Sequence, residues 1–174
     1  MKNKLVLKTA DLYNLDCNHN ISFDIDGEFF KSYGNIDFED SRFNVAVTSQ
    51  LVDSSIILDV KIIGEVNVDC DRCCMPLLVP MEIKENILIL KEDDNTEVQD
   101  EDLVIFISEG TTVVDISDMV YDFIVLNLPM QNIHPDDENG NSTCDARQLQ
   151  ILEKYLKKDI IDPRWEDLKK IKFN

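Results

Sequence analysis

Basic residues are scarce in this sequence. Only 17 Lys and Arg stand against 35 Asp and Glu among 174 residues, giving a formal net charge of -18 and a pI near 4.3. A surface of that sign repels a bare phosphate backbone at long range, which argues against a sequence-independent nucleic-acid binder. It favours a basic protein, a cation or a screened complex as partner. Long apolar runs are missing as well: the longest aliphatic and aromatic stretch is Leu103 to Ile107, too short for a membrane span or a signal-peptide core. A cytoplasmic protein with no membrane partner is therefore expected. There are five cysteines, Cys17, Cys70, Cys73, Cys74 and Cys144, an odd and uneven set that does not form a disulfide framework in a reducing compartment. Gly-rich phosphate loops, internal repeats and low-complexity tracts are lacking.

What is present is the composition of one globular domain, with 44% hydrophobic and 30% charged residues, read as a single unit over residues 1–174. At this size a core forms without disulfide staples. The first half alternates at a period of two. Ile21, Phe23 and Ile25 alternate with Ser22, Asp24 and Asp26; Phe43, Val45 and Val47 do the same; Ile56, Leu58, Val60 and Ile62 enclose Asp59 and Lys61; and Val66 and Val68 lead into Cys70. Such alternation predicts antiparallel strands with one wet face. Asp53 to Ser55 reads as a hairpin turn, Asp26 to Tyr33 as a short helix or loop carrying Phe29 and Phe30, and two more strands lie near Met81 to Leu90 and Leu103 to Ile107. Between those two, Glu92 to Asp102 holds seven acids and no base, the pattern of a solvated acidic loop.

From Asp115 the period changes. Ile116, Met119, Val120, Phe123 and Ile124 fall on one helix face, with Asp115 as N-cap and Pro129 beyond the end,. A polar loop with His134-Pro135 and Asn139-Gly140 leads to Cys144. A second helix is expected from about Asp145 to Lys157, presenting Leu149, Leu152 and Leu156. Asp162-Pro163 opens a third, with Trp165, Leu168 and Ile171 on its buried side,. Strands first and helices later give an α+β fold, an antiparallel sheet or partial barrel followed by two or three C-terminal helices. Residues 147–174 carry eight bases and five acids, a net +3, against the sign of the whole.

The chemically richest element is Cys70-Asp71-Arg72-Cys73, a C-x-x-C pair at the end of a predicted strand. Two thiolates at that spacing wrap one zinc ion in a tight knuckle, and a structural site needs two more ligands. His134 and Cys144 share one polar loop, Cys74 is too close to Cys73 to complete a tetrahedron, and His19 sits between two asparagines in a polar turn. The expected site is Cys3His, from Cys70, Cys73, His134 and Cys144, holding a structural zinc. Cys17 and Cys74 read as small semi-buried hydrophobes. The competing use of the pair is thiol chemistry or zinc-dependent catalysis. Thiol exchange wants an electropositive setting, whereas Asp69 and Asp71 flank these thiols. Neither the zinc-deaminase pattern nor H-E-x-x-H occurs, and nothing in the sequence marks an enzyme.

These residues resemble the YceD family, the large ribosomal RNA subunit accumulation proteins. The resemblance is carried by Gly64-Glu65-Val66 leading into Cys70-Asp71-Arg72-Cys73 and Pro76, by the helix ending in Leu128-Pro129, and by Asp162-Pro163-Arg164-Trp165 with Leu168. It spans residues from about 40 to the end. It implies a noncatalytic ribosome-assembly factor that supports accumulation or processing of large-subunit ribosomal RNA, with the family's paired cysteines at Cys70 and Cys73. Two departures stand out. The family usually has Leu where this chain has Cys74, and a second cysteine-rich cluster found in many members after the Leu-Pro helix is here reduced to His134 and Cys144. The charge balance points to a basic ribosomal protein or a pre-ribosomal particle as partner. Direct ribosomal RNA contact would be confined to the basic segment from Arg147 to Lys172.

Overall fold

The computed structural model describes residues 4–13, 20–34, 38, 40–52, 55–92 and 103–156. The predicted turn at 53–54, most of the acidic loop, Cys17, His19 and the whole third helix with Trp165 lie outside them. The chain divides into two compact units: residues 1–68 with 76–132, and residues 69–75 with 133–174.

The first unit is built on a five-stranded sheet. Its strands are β2 (Asn20–Asp26), β3 (Arg42–Val52), β4 (Ser55–Asp69), β5 (Pro76–Lys91) and β6 (Leu103–Ile107), hydrogen-bonded in that order. A second, two-stranded sheet pairs β1 (Val6–Lys8) with β7 (Val113–Asp115) antiparallel. The alternation read from the sequence decides the faces. Val45 and Val47 on β3, Ile56, Leu58, Val60 and Ile62 on β4, and Ile83, Ile87 and Ile89 on β5 are buried in one core. The opposite side is wet: Asn44 Nδ2 donates to Ser22 Oγ at 2.9 Å and to Asp24 Oδ1 at 2.8 Å, and Lys61 and Lys84 both pair with Glu82. The predicted strands at 56–62 and 66–68 are parts of the single strand β4, and the pairing of Val52 with Ser55 fits the expected hairpin.

The fold is α+β and its sheet mostly antiparallel, as the alternation implied, with two corrections. The first is that β6 runs parallel to β5. Eleven residues separate them, too many for a tight hairpin and close to the dozen that a crossover between parallel strands takes. The second is that the helices are not all C-terminal. Helix α1 (Thr9–Leu12) and helix α2 (Gly27–Lys31) precede β3. Helix α2 starts where Asp26 Oδ1 accepts the Glu28 N–H at 3.0 Å, and it delivers Phe29 and Phe30, both fully buried, edge-on at 5.3 Å between ring centres.

Helix α3 (Ser117–Leu126) buries Val120, Phe123 and Ile124 in the same core. Asp115 acts from just before its start, its Oδ1 accepting the Ser117 N–H at 3.0 Å. The Ser117 hydroxyl in turn accepts the Leu5 N–H at 2.7 Å, which anchors the chain start beside β7. Strands β1 and β7 went unread because three residues are too few to display a period. Helix α4 (Ala146–Leu156) belongs to the second unit and buries none of its residues. Leu149 is half-buried, whereas Ile151, Leu152, Tyr155 and Leu156 are exposed.

With no buried face, α4 depends on its cap. The Asp145 Oδ1 accepts the N–H groups of both Arg147 and Gln148 at 3.0 Å. Asp145→Ala leaves those two donors to water and is expected to weaken the helix by about 1 kcal/mol. Circular dichroism will read this as a loss of helical signal; an unchanged spectrum would show that the cap is not what starts α4.

Candidate metal centre

The four predicted ligands all fall in the second unit, where the structure brings them together. Their ligand atoms lie within 4.8 Å of one another. Cys70 and Cys73 come from the knuckle at residues 69–75, and His134 and Cys144 from the two arms of a polar loop. The knuckle closes on itself: the Cys70 N–H donates to the Met75 carbonyl at 2.9 Å, and the Cys74 N–H to the Cys70 carbonyl at 2.8 Å. At its bend Cys74 takes φ of 54°, a left-handed conformation that non-glycine residues adopt sparingly.

The loop is held by its own acid. Asp137 Oδ1 accepts the N–H groups of Asn139 and Asn141 at 2.9 and 2.7 Å, and its Oδ2 accepts from Asn141 Nδ2 at 3.0 Å. The Asn141 side chain and N–H keep the Asp137 carboxyl below the usual range. Gly140 turns the chain at φ of 79°, and a bridge between Asp136 and Ser142 sets the two arms side by side. His134 and Cys144 therefore flank one closed loop. Arg72, inside the C-x-x-C pair, donates from Nη1 to Ser142 Oγ at 2.9 Å and ties knuckle to loop. Sequence reading missed Arg72, Ser142 and Asp137 as organisers of the site. Its only signal was the Asn139-Gly140 turn, which showed that the loop reverses without showing what it returns to.

Three of the six spacings are those of a tetrahedron. With metal–sulfur and metal–nitrogen bonds of about 2.3 and 2.0–2.1 Å, a tetrahedral zinc places its ligand atoms about 3.6–3.8 Å apart. The observed separations are 3.8 Å between the Cys70 and Cys144 sulfurs, 3.5 Å from Cys73 Sγ to His134 Nδ1, and 3.9 Å from Cys144 Sγ to the same nitrogen. Three thiols and an imidazole are the donor set of a zinc or a similarly soft cation.

The surroundings favour bound sulfur anions in part. Burial opposes ionisation of Cys70, but the backbone N–H groups of Arg72, His134 and Cys73 and the His134 ring outweigh it, bringing its thiol down to about 6. Burial pushes the Cys73 thiol up, helped by the neighbouring Cys70 and Cys144 sulfurs and opposed by the N–H groups of Asp145 and Met75. A cation among the sulfurs relieves their mutual repulsion.

Among the described residues of the second unit, the only buried ones are Cys70, Cys73 and Cys144. These described residues include no aliphatic core, so their buried interior is the ligand set itself. Small lobes of that kind require a metal or another crosslink to hold their shape.

Cys74 corrects the sequence reading. It is exposed, not semi-buried, because the left-handed bend that points Cys73 inward turns the next side chain out. Alkylation of the native protein is expected to modify Cys74 quickly and to spare Cys70, Cys73 and Cys144, as read by peptide mass spectrometry. Equal labelling of all four would contradict the buried cluster.

The model of the family described as large ribosomal RNA subunit accumulation protein YceD matches residues 58–172. The chain belongs to the YceD family. The match begins in β4 and takes in all four clustered residues; the resemblance that reached back to about residue 40 is thus supported from residue 58 onward. A relative from Bacillus subtilis strain 168, the uncharacterized protein YlbN, is 29% identical over 134 residues, which cover 75% of this chain and 74% of the relative. No solved structure shows significant similarity to the chain. Membership in the YceD family, described by large ribosomal RNA subunit accumulation, supports a ribosome-related role. No helix among the described residues is long and apolar enough to cross a membrane.

Proposed function

We propose that this YceD-family chain is a noncatalytic, cytoplasmic factor that supports accumulation or processing of large-subunit ribosomal RNA, with Cys70, Cys73, His134 and Cys144 holding a structural zinc. The family match over residues 58–172 carries the ribosomal part of the reading. Because that match crosses both compact units, residues 1–174 are taken as one YceD-like domain with 92–102 as its acidic loop. Zinc is supported by the three tetrahedron-like spacings of 3.5, 3.8 and 3.9 Å and by the lack of any other buried residue among the described residues of the second unit. A structural role, as opposed to a catalytic one, is supported by the four protein ligands, which fill a tetrahedron, whereas a catalytic zinc keeps a position open. It is supported too by the burial of Cys70 and Cys73, each 1% exposed, since a thiol nucleophile needs access.

The partner is a basic ribosomal protein or a pre-ribosomal particle, in keeping with a charge of -18,. RNA contact falls to the segment from Arg147 to Lys172. Depletion of the protein tests the reading: large-subunit ribosomal RNA is expected to fall relative to small-subunit RNA. An unchanged ratio would overturn the ribosomal assignment. Crosslinking in cells separates the partners, and a dominant RNA adduct on residues 147–174 with no ribosomal protein recovered would exclude the protein partner.

A further inference from the structure

The net charge is concentrated in one stretch. From Glu92 to Ala146 the sequence has fifteen acids and no Lys or Arg, so this segment carries -15 of the total -18 and the rest of the chain only -3. Helix α3 lies inside it. On the inner side of α3, Val120, Phe123 and Ile124 are buried; on the outer side Asp118 and Asp122 are exposed at helical spacing, and the next residue of that ridge is Leu126,. Leu126 is 81% exposed, and Met130, beyond the helix end and Pro129, is fully exposed. Single exposed apolar residues are ordinary. Leu126, which continues a ridge of carboxylates, and Met130, just beyond the helix end, lie in a segment without a single base and give it both apolar and acidic character.

We propose that this surface, the ridge from Asp118 to Leu126 with Met130 beyond the helix end, docks a cationic amphipathic segment of a partner protein. Lys and Arg on that segment would face Asp118 and Asp122, and its apolar residues would cover Leu126 and Met130. The ridge is held for the purpose. Asp118 Oδ1 accepts the Tyr33 hydroxyl at 2.7 Å, and Tyr33 stacks on Tyr121 of the same helix at 4.3 Å. Lys4 is paired with Asp115, just before the helix, at 3.3 Å. RNA is repelled by the carboxylates. A second copy of this chain is disfavoured because a two-fold contact would set the same acids against themselves.

The inference rests on the protein-partner reading above for the source of the segment, and the test keeps the two apart. The full chain is titrated with a synthetic fourteen-residue amphipathic Lys/Leu helix and with its Glu/Leu counterpart, followed by amide NMR. The Lys/Leu peptide is expected to bind, with shifts centred on residues 118–130, and the Glu/Leu peptide is not. Leu126→Gln with Met130→Gln should weaken binding by about tenfold or more, since apolar anchors dominate such contacts. Asp118→Asn with Asp122→Asn should weaken it at low salt and flatten its salt dependence. Both pairs change exposed side chains, and an unchanged melting temperature confirms that the fold is kept. No binding, shifts centred elsewhere, equal binding by the variants, or self-association through this ridge would overturn the proposal. Peptide binding at the ridge by a protein that does not affect ribosomal RNA would refute the ribosomal reading and leave the surface standing; a ribosomal effect that survives Leu126→Gln with Met130→Gln would do the reverse.

Discussion

Chelation of the purified protein is expected to unfold the second unit and leave the first one folded. Amides in residues 69–75 and 133–156 should lose their protection from hydrogen exchange, while β3, β4 and β5 keep theirs and still melt cooperatively. The reason is the distribution of buried residues. The first unit has a continuous aliphatic and aromatic core. Among described residues the second buries only three cysteines, and without metal their sulfurs stay close together with no cation between them. Structural zinc supplies about 10–16 kcal/mol of apparent binding free energy in zinc-finger peptides, more than hydrogen bonds of the Asp137 loop could replace at about 1 kcal/mol each. Cys70→Ser should act like the chelator, since it removes a central ligand and leaves the 3.8 Å neighbour Cys144 without its partner. Full protection of residues 133–156 in metal-free protein would contradict this account.

Gly64→Val should be the most damaging single substitution in the sheet. Gly64 faces inward on β4 and pairs with Phe43 on β3. A Cβ at that position would collide with the Arg42 carbonyl oxygen and come within 2.5 Å of Phe43 Cδ1 and 2.6 Å of Phe43 Cα. Two of these three atoms are backbone, which cannot swing aside, and Phe43 is itself buried. The strands must part or β4 must shift, and overpacking of this kind costs about 3 kcal/mol at its upper typical range. For a chain of this size that is a fall of about 6–12 °C in melting temperature. A Gly64→Val variant that melts like the parent would show that β3 and β4 have room between them. This close approach gives a physical reason for the glycine that opens the Gly64-Glu65-Val66 string, which sequence alone could only note as a resemblance.

How far the fold was legible follows from which interactions are local. Strands β2 to β4 were readable because each has one dry face, so Phe43, Val45 and Val47 alternate with polar residues. Helix α3 was readable because its buried stripe recurs at helical spacing. The direction of β6 was not, because Leu103 to Ile107 is apolar throughout and carries no sign of the strand it joins. Strands β1 and β7 pair across more than a hundred residues in pieces of three. The site was legible in its ligands, since Cys70 and Cys73 have knuckle spacing and few other ligands were on offer. It was not legible in its supports: nothing local marks Arg72 as the residue that reaches Ser142, or Asp137 as the acid that closes the loop. The outward turn of Cys74 was equally hidden, since a backbone angle of 54° leaves no trace in composition.

The proposed zinc also sharpens the charge argument. A dication bound by three thiolates moves the formal charge from -18 only to about -19, so metal does not make the protein a better ligand for RNA. The proposed zinc would instead hold residues 133–156, which contain the start of the basic segment at Arg147. The most direct test of the metal centre is native mass spectrometry of protein purified without added metal, joined to X-ray absorption at the zinc edge. The account predicts one zinc per chain with three sulfur ligands and one nitrogen ligand, lost on Cys144→Ser. A metal-free chain that melts identically with and without chelator, or one with a Cys70 to Cys73 disulfide, would contradict it.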